Sequence, residues 1–167
     1  NNTAVVDDVS FELPTEQIIA FIGGNGAGKS TILSMISRLI DKDEGIVSID
    51  GKSLENWDTG DLSKNLSILS QSNYFNIRLT VEELVSFGRF PHSRGKLSKD
   101  DREKIQDALD FTELTTLSHR YLDELSGGQR QMAFIAMLIA QDTKYILLDE
   151  PLNNLDMRRS VQVMRLL

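Results

Sequence analysis

Apolar residues in the first third of the chain fall into two kinds of run. Val9, Phe11 and Leu13 alternate with Ser10 and Glu12, the period of a half-buried strand that Pro14 ends. Ile18, Ile19, Ala20, Phe21 and Ile22 show no alternation, which predicts a strand covered on both faces. Ile32, Leu33, Ile36, Leu39 and Ile40 then recur at helical spacing, and the polar residues 41–45 end that helix. The run from Gly45 to Ile49 predicts a strand leading into a turn at Asp50 and Gly51. Residues 52–66 read as a polar loop with a short helix, in which Trp57 packs, and Leu66 to Leu69 as a short strand reaching Ser70 and Gln71.

Helical signals dominate the next fifty residues. Thr80 and Glu83 form a capping box, with Val81, Leu84, Val85 and Gly88 on one helical face. Ser98 opens a second helix whose apolar stripe is Ile105, Ala108 and Leu109. The segment from about residue 72 to 125 is therefore an all-helical insert in an α/β pattern. Met132 to Ala140 predicts an apolar helix, Tyr145 to Leu148 a buried strand, and Met157 the start of a last helix.

The chain has 167 residues, 40% hydrophobic and 26% charged, which suits one globular core. It contains no apolar run of membrane-spanning length, and Asn1, Asn2, Thr3 and Ala4 carry no signal-peptide pattern, so the expected compartment is the cytoplasm. Without cysteine, this sequence has no thiolate ligand, thiol nucleophile or disulfide. A net charge of -7 disfavours broad contact with a nucleic-acid backbone, and no nucleic-acid partner is expected. An anion site must then be local, built from oriented amides and a few cations.

Gly23, Gly24, Asn25, Gly26, Ala27, Gly28, Lys29, Ser30 and Thr31 supply such a site, since they fit G-x-x-x-x-G-K-[ST] between an expected strand and an expected helix. Glycines let the backbone turn its N–H groups toward β- and γ-phosphates, and Lys29 adds a point charge. Ser30 offers a hydroxyl to Mg²⁺, with Thr31 beside it. Asp149 and Glu150 follow the apolar strand at the edge where α/β sheets bind ligands: Asp149 suits the Mg²⁺ shell and Glu150 suits polarising water. Alone, two acids after a strand also describe a solvated turn; the phosphate loop in the same chain favours catalysis. A third element is Leu125, Ser126, Gly127, Gly128 and Gln129. Ser126 and Gln129 read as a capping box, and the glycines bare a second anion-binding helix end.

A leucine-serine-glycine-glycine-glutamine motif between a phosphate loop and a strand ending in Asp-Glu resembles the ATP-binding cassette (ABC) ATPases, in correct order over essentially the whole chain. The resemblance implies an α/β P-loop NTPase, with a RecA-like core sheet, an antiparallel β element and an inserted helical subdomain. The core with its β part would be residues 1–71 and 129–167, and the helical subdomain residues 72–128. It further implies a head-to-tail dimer in which residues Leu125 to Gln129 of one copy close over the γ-phosphate held by the other. Gln71 resembles the family's glutamine that reaches Mg²⁺ and the attacking water, and Asp156 the residue that contacts the partner cassette. Lys29, Gln71 and Glu150 are then the catalytic set, and Ser30, Gln71 and Asp149 the metal set, with ATP and Mg²⁺ as cofactors.

The sequence departs from the family at Gly24, where proline is common, at Met132, where arginine is common, and at Thr15, Glu16 and Gln17, which lack the usual turn glycine. His92 and His119 match no catalytic histidine, and an adenine-stacking aromatic lies outside the match, so the expectation is a fragment truncated at both ends. Asn76 to His92, with its Leu79-Thr80-Val81 start and Gly88-Arg89-Phe90-Pro91 segment, resembles ATPases of ferric-siderophore, haem and cobalamin importers, the siderophore group most of all. That implies permease subunits as partners, a substrate-binding protein indirectly, and a peripheral place on the cytoplasmic membrane face. A cassette acting as a soluble regulator, or one that only binds nucleotide, are the rival readings. Part of the apolar face of the first insert helix, Val81, Leu84, Val85 and Phe87, would receive a permease helix. The basic residues Arg89, His92, Arg94 and Lys96 read as a solvated loop rather than a contact for lipid or permease.

Overall fold

The computed structural model describes residues 4–70, 77–152, 157, 160, 161 and 163. The chain divides into an N-terminal unit reaching to Asn56 and a larger unit beginning at Trp57. In the first, helix α1 spans Lys29–Ile36, and strands β1 (Ser48–Ile49) and β2 (Lys52–Ser53) form an antiparallel hairpin. Asp50 (φ 53) and Gly51 (φ 73) both take the left-handed backbone that a two-residue hairpin turn with right-handed twist requires, so the Asp-Gly reading holds.

Two other expectations for this unit do not hold. Residues 9–13 and 18–22 form no strand, and Val9, Phe11, Ile18 and Ile22 are exposed. Apolar patterning reports a demand for burial, but a strand exists only through a ladder, and among the described residues the ladders are β1–β2 and one other pair. The helix also stops at Ile36, leaving Leu39 and Ile40 exposed. Ser37 Oγ donates to the Leu33 and Ser34 carbonyls and Arg38 enters the left-handed region, which together end the helical ladder.

The larger unit starts with α2 (Thr59–Asn65), N-capped by Asp58, and β3 (Leu66–Leu69). It continues through α3 (Val81–Phe87), α4 (Phe90–Ser93), α5 (Lys99–Phe111), α6 (Gly127–Gln141) and β4 (Tyr145–Leu148). Met157, Ser160, Val161 and Val163 are helical, as expected after Met157. Strands β3 and β4 pair in parallel, Leu66 with Tyr145 through Leu69 with Leu148, although residues 70–144, with the helical insert and α6, lie between them. Both expected capping boxes form, Thr80 with Glu83 and Ser126 with Gln129, and the structure adds a third where Ser98 opens its helix, with Asp101. Hydrogen bonds from Thr80, its backbone N–H foremost, hold the Glu83 carboxyl below the usual carboxylate range.

One apolar core joins α3, α5 and α6. Val81, Leu84 and Val85 are fully enclosed with Ala133, Ile135 and Ala136, each large aliphatic side chain contributing about 1.5–3 kcal/mol of burial. Gly88 allows the close approach of α3 to α6, because a Cβ there would lie 2.2 Å from the Met137 carbonyl oxygen. Phe87, by contrast, is 47% exposed and outside this core.

The segment after Gly88 corrects the sequence reading of a solvated basic loop. Arg89 is buried: its Nε donates to Asp101 Oδ1 at 2.8 Å and its Nη1 to the Ala140 carbonyl at 2.9 Å. A ring nitrogen of His92 lies 2.9 Å from the Gln141 carbonyl. Both therefore lie at the C-terminal end of α6, where carbonyls without an intrahelical partner accept hydrogen bonds and the negative end of the helix dipole favours the Arg89 charge. His92, Arg94 and Lys96 stay exposed, as expected. Among the described residues no helix is long and apolar enough to cross a membrane.

Hydrogen bonds from the Ser98 hydroxyl and N–H, and then from Arg89, hold the Asp101 carboxyl down at about 2. A carboxyl held below its unfolded value of ~3.9 contributes stability in full above that pH and loses it as pH falls toward the folded value. Acid unfolding followed by helical circular dichroism should therefore show stability declining from about pH 4 to pH 2. Asp101→Asn should flatten that limb while lowering stability at neutral pH, since it leaves the Arg89 charge buried without its partner.

Candidate functional site

The phosphate-loop residues lie together in the N-terminal unit. Gly26 (φ 78) and Gly28 (φ 84) use backbone regions that side chains rarely adopt, and at Gly28 a Cβ would also crowd the Val5 carbonyl oxygen at 3.1 Å. Gly28 is the residue from which α1 starts, so Lys29, Ser30 and Thr31 form its first turn. N–H groups at such a helix start have no intrahelical acceptor and face the loop side, which suits an anion. Lys29 Nζ donates to the carbonyls of Gly23 and Gly24, each at 2.9 Å. The ammonium is thus folded back over the loop, where it cancels carbonyl charge and keeps the loop closed on itself. Gly23, Gly24, Asn25, Gly26 and Ala27 are exposed, Ser30 is exposed and Thr31 half-buried.

The acidic pair and the second glycine motif belong to the larger unit. Asp149 continues the parallel ladder beyond β4, its N–H donating to the Leu69 carbonyl at 2.9 Å. This bond sets Asp149 beside the end of β3, two residues before Gln71 in the sequence. Glu150 is exposed and has φ 53, a left-handed backbone that costs a non-glycine residue on the order of 1–3 kcal/mol. Gln71 and Asp156 lie outside the described residues.

At the start of α6, the Ser126 side chain accepts from Gln129 N–H at 3.3 Å and Gln129 Oε1 accepts from Ser126 N–H at 3.0 Å. Leu125 packs against the apolar core, Ser126 and Gly127 are exposed, and Gly128 is buried. Reciprocal capping holds the glycine-rich helix end in one conformation with its positive pole toward solvent. Met132, where the family pattern has arginine, is 3% exposed and joins the apolar face of α6.

One contact in this unit has no counterpart in the sequence reading. Gln131 Nε2, on the second turn of α6, donates to the Pro151 carbonyl at 3.0 Å. It ties the helix that begins with Gly127 and Gly128 to the turn that carries Asp149 and Glu150. A glutamine in the run Gln129-Arg130-Gln131 offers no pattern by which to single it out, because its partner is a carbonyl twenty residues away.

Comparison with known proteins matches residues 6–153 to the family described as ABC transporter. The petrobactin import ATP-binding protein YclP of Bacillus subtilis (strain 168) is 55% identical over 163 residues, covering 98% of this chain and 65% of that protein. The iron(3+)-hydroxamate import ATP-binding protein FhuC of the same organism is 42% identical over 165 residues, covering 98% of this chain and 61% of its own length. The chain thus spans just under two thirds of these relatives. Among solved structures, a dimeric bacterial ABC transporter cassette superposes with a TM-score of 0.84 at 29% identity, over 97% of this chain and 72% of that one. With the phosphate loop, the capped glycine motif and the acidic strand end present in the family's order, this chain belongs to the ABC transporter family and has the fold of its ATP-binding cassette.

Proposed function

We propose that the chain is the nucleotide-binding part of an ATP-hydrolysing subunit that drives import of iron chelates, of the ferric-siderophore type. The observation that carries the chemical reading is the complete phosphate loop closed by Lys29, in a chain whose strand β4 runs directly into Asp149 and Glu150. Support for the transported class is the similarity to proteins named for import of petrobactin and of iron(3+)-hydroxamate.

In this reading the β- and γ-phosphates lie on the N–H groups of residues 23–31, and Lys29 exchanges two carbonyl partners for phosphate oxygens. The donor set Ser30, Gln71 and Asp149 offers hydroxyl, amide and carboxylate oxygen, the hard ligands that Mg²⁺ prefers in small number beside phosphate and water. When bound, Mg²⁺ neutralises phosphate charge and fixes phosphate orientation. Glu150 accepts a proton from the water whose oxygen attacks the γ-phosphorus; the bond to the β–γ bridging oxygen breaks, and ADP and phosphate leave. Gln71 orients that water. Residues Leu125 to Gln129 of a second copy aim the start of α6 at the γ-phosphate, so the head-to-tail dimer completes each site, with Asp156 at the contact. A dimeric cassette among the structural relatives supports pairing of two copies. Permease subunits, with a substrate-binding protein acting through them, would hold the dimer on the cytoplasmic face of the membrane.

In the full-length protein, Glu150→Gln should keep ATP binding but lower steady-state phosphate release by ~10²-fold or more. Rapid multiple turnover in that variant would remove Glu150 as the base. Lys29→Ala should weaken ATP binding by at least ~10-fold in a direct nucleotide titration, by loss of a charged contact worth ~1.5–3 kcal/mol. Mass spectrometry of proteins co-purifying from membranes with Glu150→Gln in Mg-ATP should recover a polytopic permease. Recovery of soluble partners alone would point to a regulator and overturn the importer reading while leaving the ATP chemistry in place.

A further inference from the structure

Glu150 poses a mechanical problem. It holds a left-handed backbone although the next residue is Pro151. A proline clashes with helical conformations of the residue before it and drives that residue toward extended backbone. Left to itself, Glu150 would relax to φ < 0, and its side chain would leave the backbone on a different course. A strained residue persists only where the surrounding structure fixes the chain on both sides of it.

Those two fixed points are visible. On the upstream side, Asp149 N–H donates to the Leu69 carbonyl at 2.9 Å, the last bond of the parallel ladder. On the downstream side, the Pro151 carbonyl accepts from Gln131 Nε2 at 3.0 Å. Pro151 has no N–H, so its carbonyl is the only main-chain hydrogen-bonding group with which it can be tied. Gln131 itself cannot drift, since it sits between Arg130 and the buried Met132, Ala133 and Phe134 on a helix enclosed by the apolar core.

We infer that Gln131 is a positioning residue that holds Glu150 in its strained, catalytically oriented conformation, and that it links the acid to the glycine-rich start of α6. Gln131 lies four residues after Gly127, one turn along a helix whose first turn is pinned by the Ser126–Gln129 capping box. A force on that helix end, such as an anion engaged by its N–H groups, reaches the Pro151 carbonyl through one rigid turn and one hydrogen bond. The inference rests on the role proposed above for Glu150 as base.

The test uses the full-length protein and a double-mutant comparison. Gln131→Met keeps the length of the side chain and removes the donor; Gln131→Glu keeps size and polarity but sets an acceptor against the carbonyl. Both should lower kcat for ATP by about 10- to 100-fold, the range expected for slight misplacement of a reacting group. KM for ATP should change by less than about twofold and the melting temperature by no more than a few degrees. In a Glu150→Gln background, the residual single-turnover rate of phosphate release should not fall further on adding either substitution, because the group being positioned is gone. Unchanged kcat in both single variants would overturn the inference. So would an equal fractional loss with and without Glu150, which is the signature of a general structural effect. Full turnover in Glu150→Gln alone would instead remove the base assignment, and with it the object that Gln131 is inferred to position.

Discussion

The larger unit depends on the close packing of α6 against α3. Two helices pack closely only where small residues meet, and here Gly88 lies where any Cβ would collide with the Met137 carbonyl oxygen. The next residue, Arg89, turns inward to satisfy the last carbonyl groups of α6 while its charge is matched by Asp101. One dipeptide thus sets both how near the helices come and where α6 ends along its own axis. Because a helix is rigid, fixing its C-terminal end also fixes the direction of its N-terminal end, where Gly127 and Gly128 lie.

Both ends of the chemistry in this unit are referred to that same helix. Its start carries the capped glycine motif, and its second turn holds the turn after β4 through Gln131. The parallel ladder supplies the other reference, since Leu69 and Asp149 meet only if β3 and β4 keep their register. A one-residue slip in that ladder would reverse the faces of the strand and turn both acids the other way. The phosphate loop follows a different logic. Its shape comes from left-handed glycines and from a lysine bonded to carbonyls five and six residues behind it, all within one short stretch.

Local features were therefore the most legible. Asp50-Gly51, the capping boxes at Thr80 and Ser126, and the start of α1 after Gly28 each follow from residues within a few positions of one another. The failures share a cause as well. Residues 18–22 look like a buried strand by composition, yet no ladder among the described residues includes them, and composition does not encode a pairing partner. Arg89 looks like a member of a solvated basic run, because the Asp101 carboxylate and the Ala140 carbonyl that bury it lie 12 and 51 residues away.

The order of residues alone carries the chemical inventory: a phosphate loop, a capped glycine motif, two acids at a strand end, and the helical or extended character of most segments. Hydrogen bonds between near neighbours and hydrophobic period encode these, so they can be read without knowing the fold. Packing sets which of those groups are strained, tied or buried. Gln131 meets Pro151, Leu69 meets Asp149, and Arg89 meets the end of α6 only after the helices and strands have packed, because each contact joins groups whose separation along the chain carries no pattern of its own.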